Sequence, residues 1–471
     1  RGAAYAIAAA DNAQAAYAHD EVVSFLRIAL ELLPKDDTRR GQLMAQMGLA
    51  LTWTFNFDEA LKVAREAALL ILASEGDAAT VHHLAYAAYR MFGAGFPRGA
   101  WELAGEGLRY AHRRDAAWAW LTWLDDMREQ SESPDNPGIL RVTPRLMEVP
   151  SFPPGPAGVS YPTLLVTFRS RQELLSSAGA NPDYLLFWAG EYRRTLPFWK
   201  QAAAEHEHRG AVALAMMFWS NTARCHTALG ELADARAAYD RAALLAARLT
   251  GPSMQMMIFV AAADELDLAL DEGWEDALKR LRSLAQAPRI EDRWVAAVAW
   301  AGFARSQAHM GKSEEAITLL SMAIPAIERA EGWDSNYARM ACDAASTLWL
   351  LQRTDHVETI ERNIRDKVVA PDFRYLMQDG RLSLARLCAL QGKYDEALDW
   401  FAKSRAVLDE QGARPLRAIA DFDEAWMYIR RNAPGDKERA RPLLDAAMQQ
   451  FTAIGMSGWL RRAQALRDQM K

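Results

Sequence analysis

Three evenly spaced turns constrain the fold of this chain more than any other feature of its sequence. They read Gly230-Glu-Leu-Ala-Asp-Ala235, Gly311-Lys-Ser-Glu-Glu-Ala316 and Gly392-Lys-Tyr-Asp-Glu-Ala397. Related turns run Asn56 to Ala60, Gly273 to Ala277 and Asp436 to Ala440. Each element of the pattern has a physical reason. Glycine ends a first helix in a left-handed cap. Acidic residues open the second helix, where its dipole favours them. The small alanine lets the two helices approach closely. Turn alanines at 60, 100, 235, 277, 316, 397 and 440 step by about 40 residues, with Val357 filling one missing place.

Between the turns, Ala, Leu, Glu, Arg and Gln dominate, and these are strong helix formers. Segments of about 14–18 residues place apolar side chains at i, i+3, i+4 and i+7. The pattern predicts paired antiparallel helices and an all-α fold. A length of 471 residues would otherwise imply about three domains, and the repetition selects one long array instead. Eight prolines between 134 and 162 interrupt it. Proline at that density does not sit in helix interiors. The expected organisation is N-terminal helical repeats over 1–130, a Pro-rich irregular insert or degenerate repeat over 131–180, the main array over 181–455, and a capping helix over 456–471.

These residues carry a resemblance to the tetratricopeptide (TPR) repeat, a helix pair of 34 residues. Aligned on the turn alanine, Trp219 and Trp300 take the Trp position and Gly48 the first-helix Gly position. Tyr239 and Phe401 take the second-helix aromatic position, and Ala67, Ala242, Ala323 and Ala447 the later Ala position. The step near 40 departs from the 34-residue period. Longer helices of this kind resemble the C-terminal sensor arms of MalT-like and LuxR-type bacterial signal-transduction (STAND) ATPases and of cyclases with TPR arrays. The ending, from Phe451 to Met456 and Trp459 to Ala463, is similar to the close of such arms. The resemblance implies a helical-hairpin solenoid, a superhelix whose first helices line a concave groove. It also implies an upstream nucleotide-binding domain in the same polypeptide, in keeping with a chain whose first residue is not Met.

Carrying the TPR register over places His82, Tyr89, Arg224, Arg305, Arg339, Trp349, Asp379 and Arg386 on the concave face. Arg224, Arg305 and Arg386 lie 81 residues apart, and each precedes its turn glycine by six. Two readings stay open. The guanidinium groups could grip carboxylates or phosphates of a ligand, or each could pair with an acidic residue of the neighbouring repeat. The 16 tryptophans, including Trp118, Trp120, Trp123, Trp188 and Trp199, are read mainly as inter-repeat packing, with some available to a partner.

Other functions find little support. Gly311-Lys312-Ser313 ends like a phosphate-binding loop, but Ser306 stands where its first glycine belongs and no strand precedes it. His206 and His208 are two residues apart, and His82 and His83 are adjacent; neither spacing makes a metal pair on one helix face. Catalytic residues, metals and cofactors are therefore expected to be none. Cys225, Cys342 and Cys388 form no disulfide framework, which fits a cytoplasmic protein. A net charge of −6 gives no bias toward nucleic acid or anionic membrane. The apolar start from Arg1 to Ala10 is read as helix rather than signal peptide. The expected function is non-catalytic binding of a protein, peptide or small-molecule inducer in the groove. The finer expectation is the sensor arm of a larger regulator; the alternatives are a stand-alone interaction scaffold and, less favoured, a hydrolase or transferase using groove carboxylates.

Overall fold

The computed structural model describes residues 1–16, 18–54, 56–93, 97–114, 117–118, 121–122, 124–125, 186–187, 189–208, 210, 212–249, 254–285, 293–329, 335–370, 372 and 374–470. The Pro-rich stretch expected between 131 and 180, together with Trp120, Trp123 and Trp188, lies outside them. Among the described residues every named element is helical, and the extended backbone is one isolated bridge, Tyr375 with Gln378. The all-α, TPR-like helical-hairpin class follows from the elements themselves.

The chain forms two compact units that interleave in sequence. The first holds Arg1–Thr167, Ala204–Ala215 and Leu245–Met257; the second holds Phe168–Ala203, Met216–Leu244 and Ile258–Lys471. This interleaving has no counterpart in the division expected from sequence.

In the first unit, α1 (Gly2–Ala15) pairs with α2 (His19–Leu32), α3 (Arg40–Trp53) with α4 (Phe57–Glu75), and α5 (Asp77–Gly93) with α6 (Pro97–Leu108). Leu26, Ala60, Ala64, Ala67, Ile71, Leu84 and Leu103 build its core. Gly41 and Gly48 let α3 lie close on α4: a Cβ on Gly41 would stand 3.2 Å from the Ile71 nitrogen, and one on Gly48 3.6 Å from the Ala60 carbonyl oxygen.

The second unit is built mainly from α7 (Tyr192–His208), α8 (Val212–Leu229), α9 (Leu232–Ala246), α10 (Met254–Leu270), α11 (Trp274–Ala285), α12 (Arg293–His309), α13 (Ser313–Arg329), α14 (Ser335–Leu351), α15 (Val357–Ile364), α16 (Gly380–Leu390), α17 (Tyr394–Gln411), α18 (Arg414–Arg431), α19 (Asp436–Ile454) and α20 (Ser457–Asp468). Five residues of π-helix, Arg365–Val369, extend α15. First helices pack on first helices, α12 on α14 and α14 on α16, while α13, α17 and α19 back them as second helices.

The turn chemistry explains these pairings. Gly230 and Gly392 hold φ of +75° and +74°, the left-handed conformation that glycine adopts without a Cβ clash. The alanines at 60, 100, 235, 277, 316, 397 and 440 are all at most 1% exposed, pressed between the two helices of their hairpins. First helices of the second unit are buried on every side, as α14 shows from Ala338 to Trp349 and α16 from Gly380 to Ala389.

Long-range contacts tie the second unit together. A Cβ on Gly230, after α8, would touch the Pro415 ring and Arg414 at the start of α18. Helix α20 docks on the end of α10, where Trp459 Nε1 donates to the Leu268 carbonyl at 2.8 Å.

Candidate functional site

Six of the eight candidate residues fall in the second unit, and four of them belong to one buried charged ladder. The three evenly spaced arginines and the carboxylates they meet lie on alternate first helices. Arg224 is on α8, Arg305 on α12 and Arg386 on α16; Asp264 and Glu265 are on α10, Asp343 on α14 and Asp423 on α18. Each arginine thereby meets carboxylates one repeat away. Arg224 forks onto Glu265, with Nη2 and Nε donating at 2.8 and 3.0 Å. Arg305 donates to Asp264 at 2.7 Å and also to Asp343. Arg386 donates to Asp423 at 2.8 Å and to Ser346 Oγ at 2.9 Å. Arg339, on α14, adds a second cation to Asp264.

All of these side chains are buried, Arg305 to 1% exposure and Asp343 to none. An isolated charge at such depth would be prohibitive, and pairing with good geometry offsets the loss of hydration. Burial pulls the Asp264 carboxyl upward, yet Arg305 and Arg339 together hold it below the ordinary carboxylate range. Of the two readings of the arginines left open by the sequence, pairing with the neighbouring repeat describes their contacts here.

The remaining candidates are placed differently. Trp349 is 2% exposed, and its indole N–H donates to Asp423 at 2.7 Å, joining the ladder from α14. Asp379 caps α16, accepting from the backbone N–H groups of Arg381 and Leu382 and from Ser404 Oγ. His82 and Tyr89 lie on α5 of the first unit, His82 exposed and Tyr89 half-buried against Tyr86.

A non-helical segment lies against the ladder. Between the π-turn and α16 the chain makes a tight turn from Arg374 to Gln378, every residue of which is buried. The Tyr375 hydroxyl accepts from Arg224 at 3.1 Å, and the Gln378 carboxamide donates to Asp343 at 2.5 Å. Arg374 donates to Glu410 at 3.0 Å.

Sequence reading missed the acidic half of this arrangement, although a signal was present. Asp264, Asp343 and Asp423 repeat at steps of 79 and 80 residues, out of phase with the arginines by one repeat. The doubled period of 81 thus arises because these arginines and carboxylates alternate along a 40-residue repeat.

Other reactive groups have structural surroundings. Cys225 and Cys342 are buried, which pushes both thiols up to about 12 and removes thiolate reactivity near neutral pH. Gly311-Lys312-Ser313 is the turn between α12 and α13. Among the described residues, two clusters bring three metal-capable atoms within 4.8 Å of one another: His226 with Glu231 and Asp234, and Glu361 with Cys388 and Glu396. Glu231 already takes His226 at 2.7 Å and Arg193 at 3.5 Å. Glu361 and Glu396 share Arg365 at 2.7 Å each. No helix among the described residues is long and apolar enough to cross a membrane.

No protein-family profile matches the chain, and no curated protein matches it. Among solved structures, a Rap protein complexed with competence and sporulation factor is similar at 11% identity, covering 92% of this chain and 99% of that one, with a TM-score of 0.31. A score that low carries no functional inference.

Proposed function

We propose that this chain is a non-catalytic binding module, a TPR-like array whose second unit takes a protein, a peptide or a small-molecule inducer on the charged face of its first helices. One observation carries the reading: that face already holds a non-helical peptide segment, Arg374 to Gln378, through side-chain hydrogen bonds to Arg224 and Asp343. Guanidinium and carboxylate groups are paired along it, so it carries no net field of one sign, which suits a peptide backbone and polar side chains better than a ligand of single charge.

The finer reading is a sensor arm in a larger bacterial signalling ATPase of the cytoplasm. The repeat step near 40 and the ending from Phe451 to Ala463 support it. Ligand binding would then favour one arm conformation and bias an upstream nucleotide-binding switch. The intact mass and N-terminal sequence of the native polypeptide test this point: a preceding nucleotide-binding domain supports the sensor arm, and its absence leaves a stand-alone scaffold.

The binding face itself is tested by the footprint of a partner. A ligand identified by thermal shift should raise the melting temperature with the logarithm of its concentration. Hydrogen exchange should then slow in α8, α10, α12 and α14. A footprint confined to second helices, or to α5 around His82 and Tyr89, would sink the assignment.

A further inference from the structure

We infer that the turn from Arg374 to Gln378 is a resident pseudo-ligand: the chain occupies its own binding face, and an external partner must displace this turn to bind. The inference rests on the binding face proposed above and adds its regulation. The turn is a peptide on a side-chain surface, since its polar tips, Tyr375 and Gln378, bond to ladder residues on α8 and α14.

Its fit is incomplete. Arg374 is 7% exposed, and its Nε and Nη1 atoms are buried without a hydrogen-bond partner. On the ladder, Arg305 Nε and Asp264 Oδ1 are likewise unsatisfied, and Asp343 Oδ2 meets Arg339 Nε only at 3.7 Å. Buried donors and acceptors left unmade are costly, so the turn is held at less than the best free energy, and an occupant that also satisfied Asp343 Oδ2, on the carboxylate that Gln378 meets, would bind there more favourably. The backbone adds strain. Met377, fourth in the turn, has φ of +54° and Asp372, two residues before the turn, has +58°, values that residues with a Cβ seldom adopt. Strain of this kind persists only where surrounding contacts over-determine it, and it gathers at clamps and switches. Leu376 and Met377, at 1% and 2% exposure, are the apolar anchor of the occupant.

The probe is a fluorescein-labelled peptide with the sequence of residues 372–379, Asp-Phe-Arg-Tyr-Leu-Met-Gln-Asp. It is titrated into the full chain and into a full-length variant with residues 374–378 replaced by Gly and Ser. The variant should bind the peptide at least about tenfold more tightly than the unaltered chain does, the effect of roughly one net hydrogen bond. Equal or absent binding by a variant that is folded by circular dichroism and gel filtration overturns the inference. If that variant does not fold, Tyr375→Phe decides. Amides of 374–378 should exchange about tenfold faster while those of α14 and α16 hold steady. No change, or acceleration of all three together, makes the turn part of the core and overturns the inference. A partner that footprints the first helices with equal affinity for the unaltered chain and the replacement variant rejects self-occupancy but leaves the binding face standing. A footprint elsewhere removes both.

Discussion

Arg305 shows how much a buried charge depends on its partners. It is 1% exposed and shared between Asp264 and Asp343, so removing it leaves Asp264 with Arg339 alone and takes from Asp343 its nearest cation in a dry interior. Arg305→Ala should destabilise the fold by about 3–5 kcal/mol, measured by denaturant unfolding. Arg65 provides the contrast. It meets Glu102 at 2.8 Å and Glu106 at 2.6 Å, but its side chain is 39% exposed. Arg65→Ala should cost about 1 kcal/mol or less, because solvent screens surface pairs. Comparable losses from both substitutions would contradict the burial argument.

At the level of elements, the docking of α20 makes stability depend on pH. His309 at the end of α12 stacks on Trp274 at 4.0 Å and donates to Asp271 at 2.8 Å, with Arg462 of α20 on the same carboxylate. Burial pushes the His309 imidazole down to about 4, overcoming the pull of Asp271. The imidazole is therefore neutral when folded and gains a proton on unfolding below its ordinary value near 6.5. Its contribution to stability is full above about pH 6.5 and is lost as pH falls toward 4. Burial also raises the Asp271 carboxyl, but hydrogen bonds from His309 and Arg462 outweigh that and hold it down to about 2, so acid weakens it as well. Burial raises the neighbouring Asp267 carboxyl to about 7, which acts in the opposite sense, so the test is a difference: between pH 6.5 and 4 the melting temperature of the unaltered chain should drop relative to that of His309→Gln. An unaltered profile in the variant would place the acid sensitivity elsewhere.

For the molecule as a whole, a repeat array is ordinarily a chain of nearest-neighbour interfaces, and damage stays local. The second unit departs from that rule. The contacts of α20 with α10 and α12 join residues 191 and 153 positions apart. Gly458 is the closest approach: a Cβ there would stand 2.5 Å from the backbone carbonyl oxygens of Leu270 and Asp271, where no flexible side chain can yield. Gly458→Ala should push α20 off and speed hydrogen exchange at the ends of α10 and α12. Acceleration confined to α18 and α19, the sequence neighbours of α20, would mean that the unit behaves as an ordinary nearest-neighbour array.

Local physics was legible in the sequence. The turn glycines need left-handed backbone, the turn alanines need a gap too small for other side chains, and the 3.6-residue apolar period needs a helix; each depends on neighbours a few residues away. The Arg224, Arg305 and Arg386 series was legible too, as a period. What those arginines touch was not. Their partners lie about one repeat away in sequence, and whether a guanidinium meets solvent, ligand or carboxylate depends on how tightly successive first helices pack. The same holds for Tyr375 on Arg224, 151 residues distant, and for Trp459 on Leu268. Helical hairpins are specified by local chemistry, whereas the packing that buries a charged face and seats a turn against it is summed over many repeats. Only the tertiary structure decided that.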